Sequence, residues 1–351
     1  MSIVAIARPE IRSLTPYSSA RMEASGGAVM LNANELPWPP AGTALNRYPD
    51  PQPAPLVDAF AQLYDVKPEN VLIGRGSDEA IDLLVRAFCK AGDDAVAVCP
   101  PTFGMYAVCA RVQNACVLEV PLTASFDLDV DALLSAIAPS CKLVFLCSPN
   151  NPTGNAIPVA DIERVATALV DRALVVVDEA YMEFAGSPSA TELLASHANI
   201  AVLRTLSKAH GLAGTRIGCV LAHSEVIELL RRIQAPYPLP TPCIDIALHV
   251  LKPDAQARMK SQVELVCRER ARVAEALAGA PGTMVMPSVA NFICVRFPDG
   301  PATYRYLLSR SIVVRNVGAY RGLKNCLRIS IGAPAENDRL LRALAERSLA
   351  A

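Results

Sequence analysis

Lysine, histidine and aromatic residues are scarce in this chain. Among 33 basic residues in 351 only seven are lysines, histidines number 4, and aromatics make up 5% with 1 tryptophan. Asp plus Glu come to 34, so the formal net charge is −1. Without an excess of positive charge there is no basic field to hold a phosphate backbone, which excludes a sequence-independent nucleic-acid binder. His197, His210, His223 and His249 form no H-E-x-x-H motif, and the 11 cysteines include no C-x-x-C pair. No metal site is expected. No run approaches the ~18 apolar residues of a membrane span, and Arg8 and Pro9 interrupt the N-terminus before a signal core forms. A Walker-type G-x-x-x-x-G-K-[ST] loop is missing as well.

What is present describes a folded chain. Apolar residues are 52% and charged ones 19%, which excludes disorder. The length suits one large domain or two unequal ones. The cysteines are odd in number and scattered through apolar runs, so they read as buried, reduced thiols of a cytoplasmic protein. Residues 1–54 carry Pro37, Pro39, Pro40, Pro49, Pro51 and Pro53, which block regular structure and suggest an arm that wraps over another surface. From about 55, β-branched runs alternate with helix-length segments: Val71–Ile73, Ala95–Cys99, Val117–Val120, Leu143–Cys147, Leu174–Val177, Ile200–Leu203 and Ile217–Leu221. Leu174–Val177 has no polar alternation, as expected of a strand buried on both faces of a mostly parallel sheet. Ser77–Lys90 places Ile81, Leu84, Val85 and Phe88 on one helical stripe.

Pro236–Pro242 breaks this pattern. A helix over about 254–278 follows, then runs at Phe292–Phe297, Ile312–Arg315 and Cys326–Ile331 and a closing helix. The expectation is an α/β fold: a large domain with a mostly parallel sheet flanked by helices, plus a smaller α+β domain. Residues 1–54 would form the arm and part of the small domain, 55–241 the large domain, and 242–351 the small C-terminal domain.

Four segments carry chemistry. Gly74-Arg-Gly-Ser-Asp-Glu79 imitates a dinucleotide fingerprint, with Glu79 in place of the third glycine. It reads either as a helix start capped by Ser77 or as a helix N-terminus that cradles one phosphate. Ser148–Gly154 is a turn by composition, yet it follows a strand's carboxyl end, where α/β sheets bind ligands, and Asn151 offers an amide there. Asp178 ends an apolar strand, either as a capping carboxylate or as the partner of a buried cation, with Tyr181 three residues on. Lys208 lies in a Ser/Gly/Ala-rich loop, where it is either a surface lysine or a desolvated amine of lowered pKa. Arg216, eight residues later, can clamp an anion.

In this order the four segments resemble the fold-type I pyridoxal-phosphate aminotransferases. The resemblance implies pyridoxal 5′-phosphate as cofactor, its phosphate held by the helix N-terminus, Ser77 and Arg216, with Asp78, Thr205 and Ser207 also binding the cofactor. It gives Asp178 to the pyridine nitrogen, Asn151 and Tyr181 to the ring hydroxyl, and Lys208 to the aldehyde. Leu14–Tyr17, Leu31–Glu35, Asn46–Asp50, Pro100–Tyr106, Ala235–Leu239 and Leu327–Gly332 extend the likeness to the histidinol-phosphate aminotransferase family, over about residues 8–345. That family implies a homodimer in which Tyr48 reaches the neighbouring subunit's cofactor phosphate. It implies Phe103 stacked on the cofactor ring, where the family often has tyrosine. Tyr17, Asn34, Asn291, Arg315 and Arg328 would surround the substrate, with Arg328 on its anionic end.

Lys208, Asp178 and Tyr181 would be catalytic. The implied reaction converts L-histidinol phosphate and 2-oxoglutarate into imidazole-acetol phosphate and L-glutamate, a step of histidine biosynthesis. The alternatives on the same scaffold are an aromatic-amino-acid aminotransferase or a phospho-amino-acid decarboxylase. A non-catalytic scaffold is the remote reading, opposed by the intact Lys208, Asp178 and Arg216 set. His210 is expected to make a local hydrogen bond in its loop.

Overall fold

Seven short apolar strands build the central sheet: β1 Val71–Gly74, β2 Ala95–Val98, β3 Cys116–Glu119, β4 Cys141–Cys147, β5 Leu174–Asp178, β6 Ile200–Thr205 and β7 Gly218–Ala222. This computed structural model describes residues 2–23 and 29–349; the arm's residues 24–28 and the extreme chain ends lie outside the described residues. The strand order is β1-β7-β6-β5-β4-β2-β3. All pairings are parallel except those of β7, which runs against both β1 and β6. Periodicity places that strand but is blind to its direction. The reason lies in the connection: 206–217 holds only the short 3₁₀ turn Ala213–Thr215, and a parallel return needs a long crossover, usually a helix. The chain therefore turns straight back, which keeps Lys208 and Arg216 at the sheet's carboxyl edge.

Both faces of the sheet are covered, which accounts for the unalternated runs. Val175 and Val177 of β5 face a core with Leu56, Phe60 and Leu146, while Leu174 and Val176 face Ile81, Leu84 and Phe88. Each such side chain contributes about 1.5–3 kcal/mol on burial. The stripe Ile81, Leu84, Val85 and Phe88 belongs to the helix Ser77–Phe88, as its spacing predicts. Ile3 and Ala7 of the arm join the same core. Beyond the proline-rich stretch the chain first forms the helix Thr241–Val250, whose Ile244 and Ala247 pack with Leu56 and Phe60.

The second sheet is antiparallel, with β8 Met284–Val285, β9 Phe292–Arg296, β10 Arg315–Asn316 and β11 Cys326–Ser330 in the order β10-β11-β9-β8. The helix Pro253–Ala278 lays Val273 and Leu277 on Ile293, Val295, Leu327 and Ile329. The expected strand at Ile312–Arg315 pairs only from Arg315. Ser311 sits at φ 57 and the Ile312 N–H still donates to Leu307 of the preceding helix, so Ile312 and Val314 serve as packing groups on the way into β10. Among the described residues no helix is long and apolar enough to cross a membrane. All 11 cysteines are unpaired; most are buried, with Cys116 exposed on β3.

Candidate active site

β4, β5 and β6 end side by side, with Cys147 opposite Asp178 and Asp178 opposite Leu203. The loops leaving them bring the four sequence segments to one cavity of about 240 Å³. Its wall contains Ser77, Asp78, Phe103, Asn151, Asp178, Tyr181, Thr205, Ser207, Lys208, Arg216 and Arg328, together with Cys147 and Ala180.

One end of the cavity is built for an anion. The helix Ser77–Phe88 starts there, but its N-cap is Gly76 at φ 83 and no side chain caps it. Ser77 is thus the first helical residue and not the cap that composition suggests. Its first-turn N–H groups have no intrahelical partner, and the helix dipole favours negative charge at that point. Arg216, itself at φ 57, points its guanidinium across this turn. It pairs with Asp78 at 3.3 Å and donates to the Ala213 carbonyl at 3.0 Å and the Ser207 hydroxyl at 3.5 Å. A Cβ on Gly76 would lie 2.9 Å from Arg216 Nη2, and one on Gly218 would lie 2.8 Å from the Ser77 nitrogen. The glycines of this segment therefore serve close approach of helix start, strand β7 and guanidinium. Thr205 accepts the Ser207 N–H at 3.1 Å and holds the loop that presents Ser207 and Lys208.

The same wall holds a buried carboxylate. Asp178 is 3% exposed, and burial pushes its pKa up to about 6. The Tyr106 hydroxyl donates to Oδ2 at 2.7 Å and the Ala180 N–H to Oδ1 at 3.1 Å, both opposing that rise. Asp178 has no salt bridge among the described residues. A buried anion without a countercharge is costly, so this position asks for a cationic ligand group. Next to it, Glu179 receives Arg204 at 2.7 Å and the Ala190 N–H at 2.7 Å, which braces the end of β5 against β6.

Lys208 lines this cavity within reach of the charges of Asp178, Asp78, Arg216 and Arg328. Desolvation first, then the Arg328 charge, lowers its amine from the ordinary lysine range, with Asp178 pulling the other way. Its Nζ is 5.4 Å from the centre of the Tyr181 ring. Tyr181 is buried edge-on against Phe292 of the small domain, with centroids 5.1 Å apart. Arg328 also crosses from the small domain: it donates to the Asn151 side-chain oxygen and sits 5.4 Å from the Phe292 ring centre.

Five expected residues are not on this wall. Arg315 is exposed, but it stands directly opposite Arg328 in the β10–β11 register, so both side chains occupy one face of the small sheet. The Asn291 carbonyl accepts the Ile331 N–H at 2.9 Å, just ahead of β9. Tyr17, Asn34 and Tyr48 lie on the arm. Tyr17 is 71% exposed beside Gln234, while Asn34 and Tyr48 border a groove with Pro240 and Pro242. Tyr48 stacks on Tyr237 with centroids 4.3 Å apart.

Two participants escaped sequence reasoning. Tyr106 stood only as the last residue of Pro100–Tyr106; its spacing of three from Phe103 was the available signal. Cys147 closes an apolar strand and carries no signal at all. His210 differs from expectation: it is buried and makes no hydrogen bond within its own loop, its polar neighbour being the Gln256 side chain of the helix Pro253–Ala278. Desolvation lowers its pKa, which keeps it neutral.

The donor set fits pyridoxal 5′-phosphate: an open helix N-terminus with Arg216 for a phosphate, an unpaired buried carboxylate for a protonated ring nitrogen, and an amine lining the same cavity. A family model, aminotransferase class I and II, matches residues 28–344. The chain belongs to that family. A histidinol-phosphate aminotransferase from Stenotrophomonas maltophilia is 54% identical, over 99% of this chain and 98% of the relative. The crystal structure of histidinol-phosphate aminotransferase from Sinorhizobium meliloti in complex with pyridoxal-5′-phosphate superposes with a TM-score of 0.77 at 28% identity, covering 87% of this chain and 83% of that one. L-threonine-O-3-phosphate decarboxylase from Porphyromonas gingivalis reaches a TM-score of 0.74 at 22% identity, over 86% and 90% of the two chains, and shares the fold alone. Fold therefore does not separate the readings; the full-length identity does.

Proposed function

We propose that this chain is a pyridoxal-phosphate-dependent aminotransferase that takes L-histidinol phosphate as amino donor and 2-oxoglutarate as acceptor, in histidine biosynthesis. The observation that carries the reading is the unpaired buried Asp178 in one cavity with Lys208 and the Arg216-flanked helix start. Full-length identity to a histidinol-phosphate aminotransferase supports the choice of substrate.

When bound, the cofactor supplies a conjugated ring that accepts the electron pair left at the substrate's Cα. Asp178, held ionised near neutral pH by Tyr106 and Ala180, would keep the ring nitrogen protonated. Asn151 and Tyr181 would meet the ring hydroxyl, and Phe103 would cover the ring face. The helix start with Ser77 and Arg216 would hold the phosphate, and Asp78, Thr205 and Ser207 would complete the cofactor's surroundings. Lys208, with its lowered pKa, would hold the aldehyde and, once the substrate's own amine has displaced it, would be free to take the proton from substrate Cα. Arg328 receives the donor's phosphate and the acceptor's carboxylate in turn, since a guanidinium matches either anion. Arg315, its neighbour across the strands, adds positive charge on the same face. Tyr17, Asn34 and Asn291 complete the substrate's surroundings.

The substrate is tested by kcat/KM for histidinol phosphate, histidinol and phenylalanine. Histidinol lacks the dianion and leaves Arg328 unpaired, so roughly ten- to a hundredfold loss is expected. Phenylalanine performing as well as histidinol phosphate would replace this reading with an aromatic aminotransferase. Carbon dioxide release from a phospho-amino acid would replace it with the decarboxylase.

The active unit of this reading is a homodimer working in the cytoplasm. Leu31, Leu36, Trp38, Leu45 and Tyr48 are all exposed on the arm, and large apolar residues exposed together mark an interaction surface. A second copy covers it and receives Tyr48 at its own cofactor phosphate. Trp38→Glu should give a monomer in sedimentation at micromolar concentration and lower turnover about tenfold or more. A monomer with full turnover would remove the shared site.

A further inference from the structure

We infer that Tyr106 is a positioning residue for the reaction: its hydroxyl holds the Asp178 carboxylate ionised and in place for the cofactor's ring nitrogen. This rests on the role of Asp178 proposed above. The two residues are 72 positions apart in sequence and meet only through the packing of the helix Met105–Val112 on the sheet.

Three observations carry it. Tyr106 is fully buried, and its ring is fixed from two sides: stacked on Phe145 at 4.7 Å and 7°, and edge-on to Phe103 at 5.6 Å and 81°. A ring so clamped aims its hydroxyl at Asp178 Oδ2, 2.7 Å away, with the Cys147 thiol as its other polar neighbour. Among the described residues the carboxylate has two donors, Tyr106 and the Ala180 N–H; the latter is main chain, so Tyr106 is the only side chain of the pair.

The surrounding charges make the hydroxyl a one-way donor. The titratable groups around Asp178 are Tyr106, Cys147, Tyr181, Lys208 and Asp78. Burial, with Asp178 beside it, drives the Tyr106 phenol well above its ordinary range. Burial pushes the Cys147 thiol up to about 12. Both groups keep their protons at working pH, and Tyr106 lowers the Asp178 pKa against the rise from burial. Without the hydroxyl, Oδ2 loses its donor inside the protein and the carboxyl shifts toward its neutral form. A neutral carboxyl no longer stabilises a protonated ring nitrogen. The positive charge that opposes protonation at the far end of the bound chromophore then weakens.

The test uses the holoenzyme of Tyr106→Phe, which keeps the ring in its stack. The readouts are the pH midpoint of the cofactor's visible absorbance, the cofactor dissociation constant, and kcat and KM. The midpoint should rise by about one unit, since a hydrogen bond to a charged group is worth that much. Cofactor should dissociate about tenfold more readily, and kcat should fall about tenfold while KM for the amino donor stays within about twofold. Asp178→Asn should move the midpoint in the same direction and further. Phe145→Leu, which loosens the stack and leaves the hydroxyl, should move it little. An unmoved midpoint in Tyr106→Phe beside a shifted one in Asp178→Asn overturns the inference and spares the role of Asp178. An unmoved midpoint in Asp178→Asn overturns both. A Phe145→Leu shift equal to that of Tyr106→Phe assigns the effect to ring packing and overturns the inference.

Discussion

Lys208→Ala is expected to lower kcat by about four orders of magnitude or more, because one amine both anchors the cofactor and carries the Cα proton. No other lysine lines the cavity, so no neighbouring amine can substitute. The direct measurement is borohydride reduction followed by denaturation and mass determination. Wild-type protein should retain the cofactor's mass on the peptide that contains residue 208. The alanine variant should lose the cofactor on denaturation, although Arg216, Asp178 and the helix start still bind it reversibly. A reduced adduct surviving in the variant would move the nucleophile elsewhere. The same amine sets a pH limb. Its pKa is lowered from the ordinary lysine range, so the neutral form persists to lower pH than in a free lysine. Activity should fall as pH drops through that lowered value.

Arg328→Lys is expected to cost roughly ten- to a hundredfold in kcat/KM for histidinol phosphate, equivalent to one charge-assisted hydrogen-bonded pair. A lysine keeps the charge but replaces a two-pronged planar donor by a point. The structure adds a second reason: Arg328 also donates to Asn151, the residue assigned to the cofactor's ring hydroxyl. Both half-reactions should therefore weaken, and single-turnover measurements with histidinol phosphate and with glutamate separate them. If the glutamate half-reaction is spared, the two anions do not share Arg328. Arg315→Lys should cost less, because Arg315 is exposed at the sheet edge and lies off the cavity wall.

Much of this molecule was legible in its sequence, and the residues say why. The strands of the large sheet announce themselves because a segment such as Leu174–Val177 has no polar residue to turn outward. Only burial on both faces accommodates it. The helix Ser77–Phe88 is legible from the period of its own apolar positions. Lys208, Asp178, Asn151 and Arg216 stood out because each sits where a strand gives way to a loop, and strand ends are read from local composition.

Other features depend on contacts between distant segments, for which local composition has no signal. The reversal of β7 follows from a connection too short to cross the sheet. The cap at Gly76 in place of Ser77 follows from the close approach of Arg216 and Gly218. Tyr106 meets Asp178 across 72 residues, and Arg328 meets Asn151 across 177. Local propensity and periodicity are properties of neighbours along the chain, so the sequence by itself determined the elements and the chemical groups at their ends. Which groups face one another across the cavity was decided by packing, because only the buried cores of the two domains hold those ends in register.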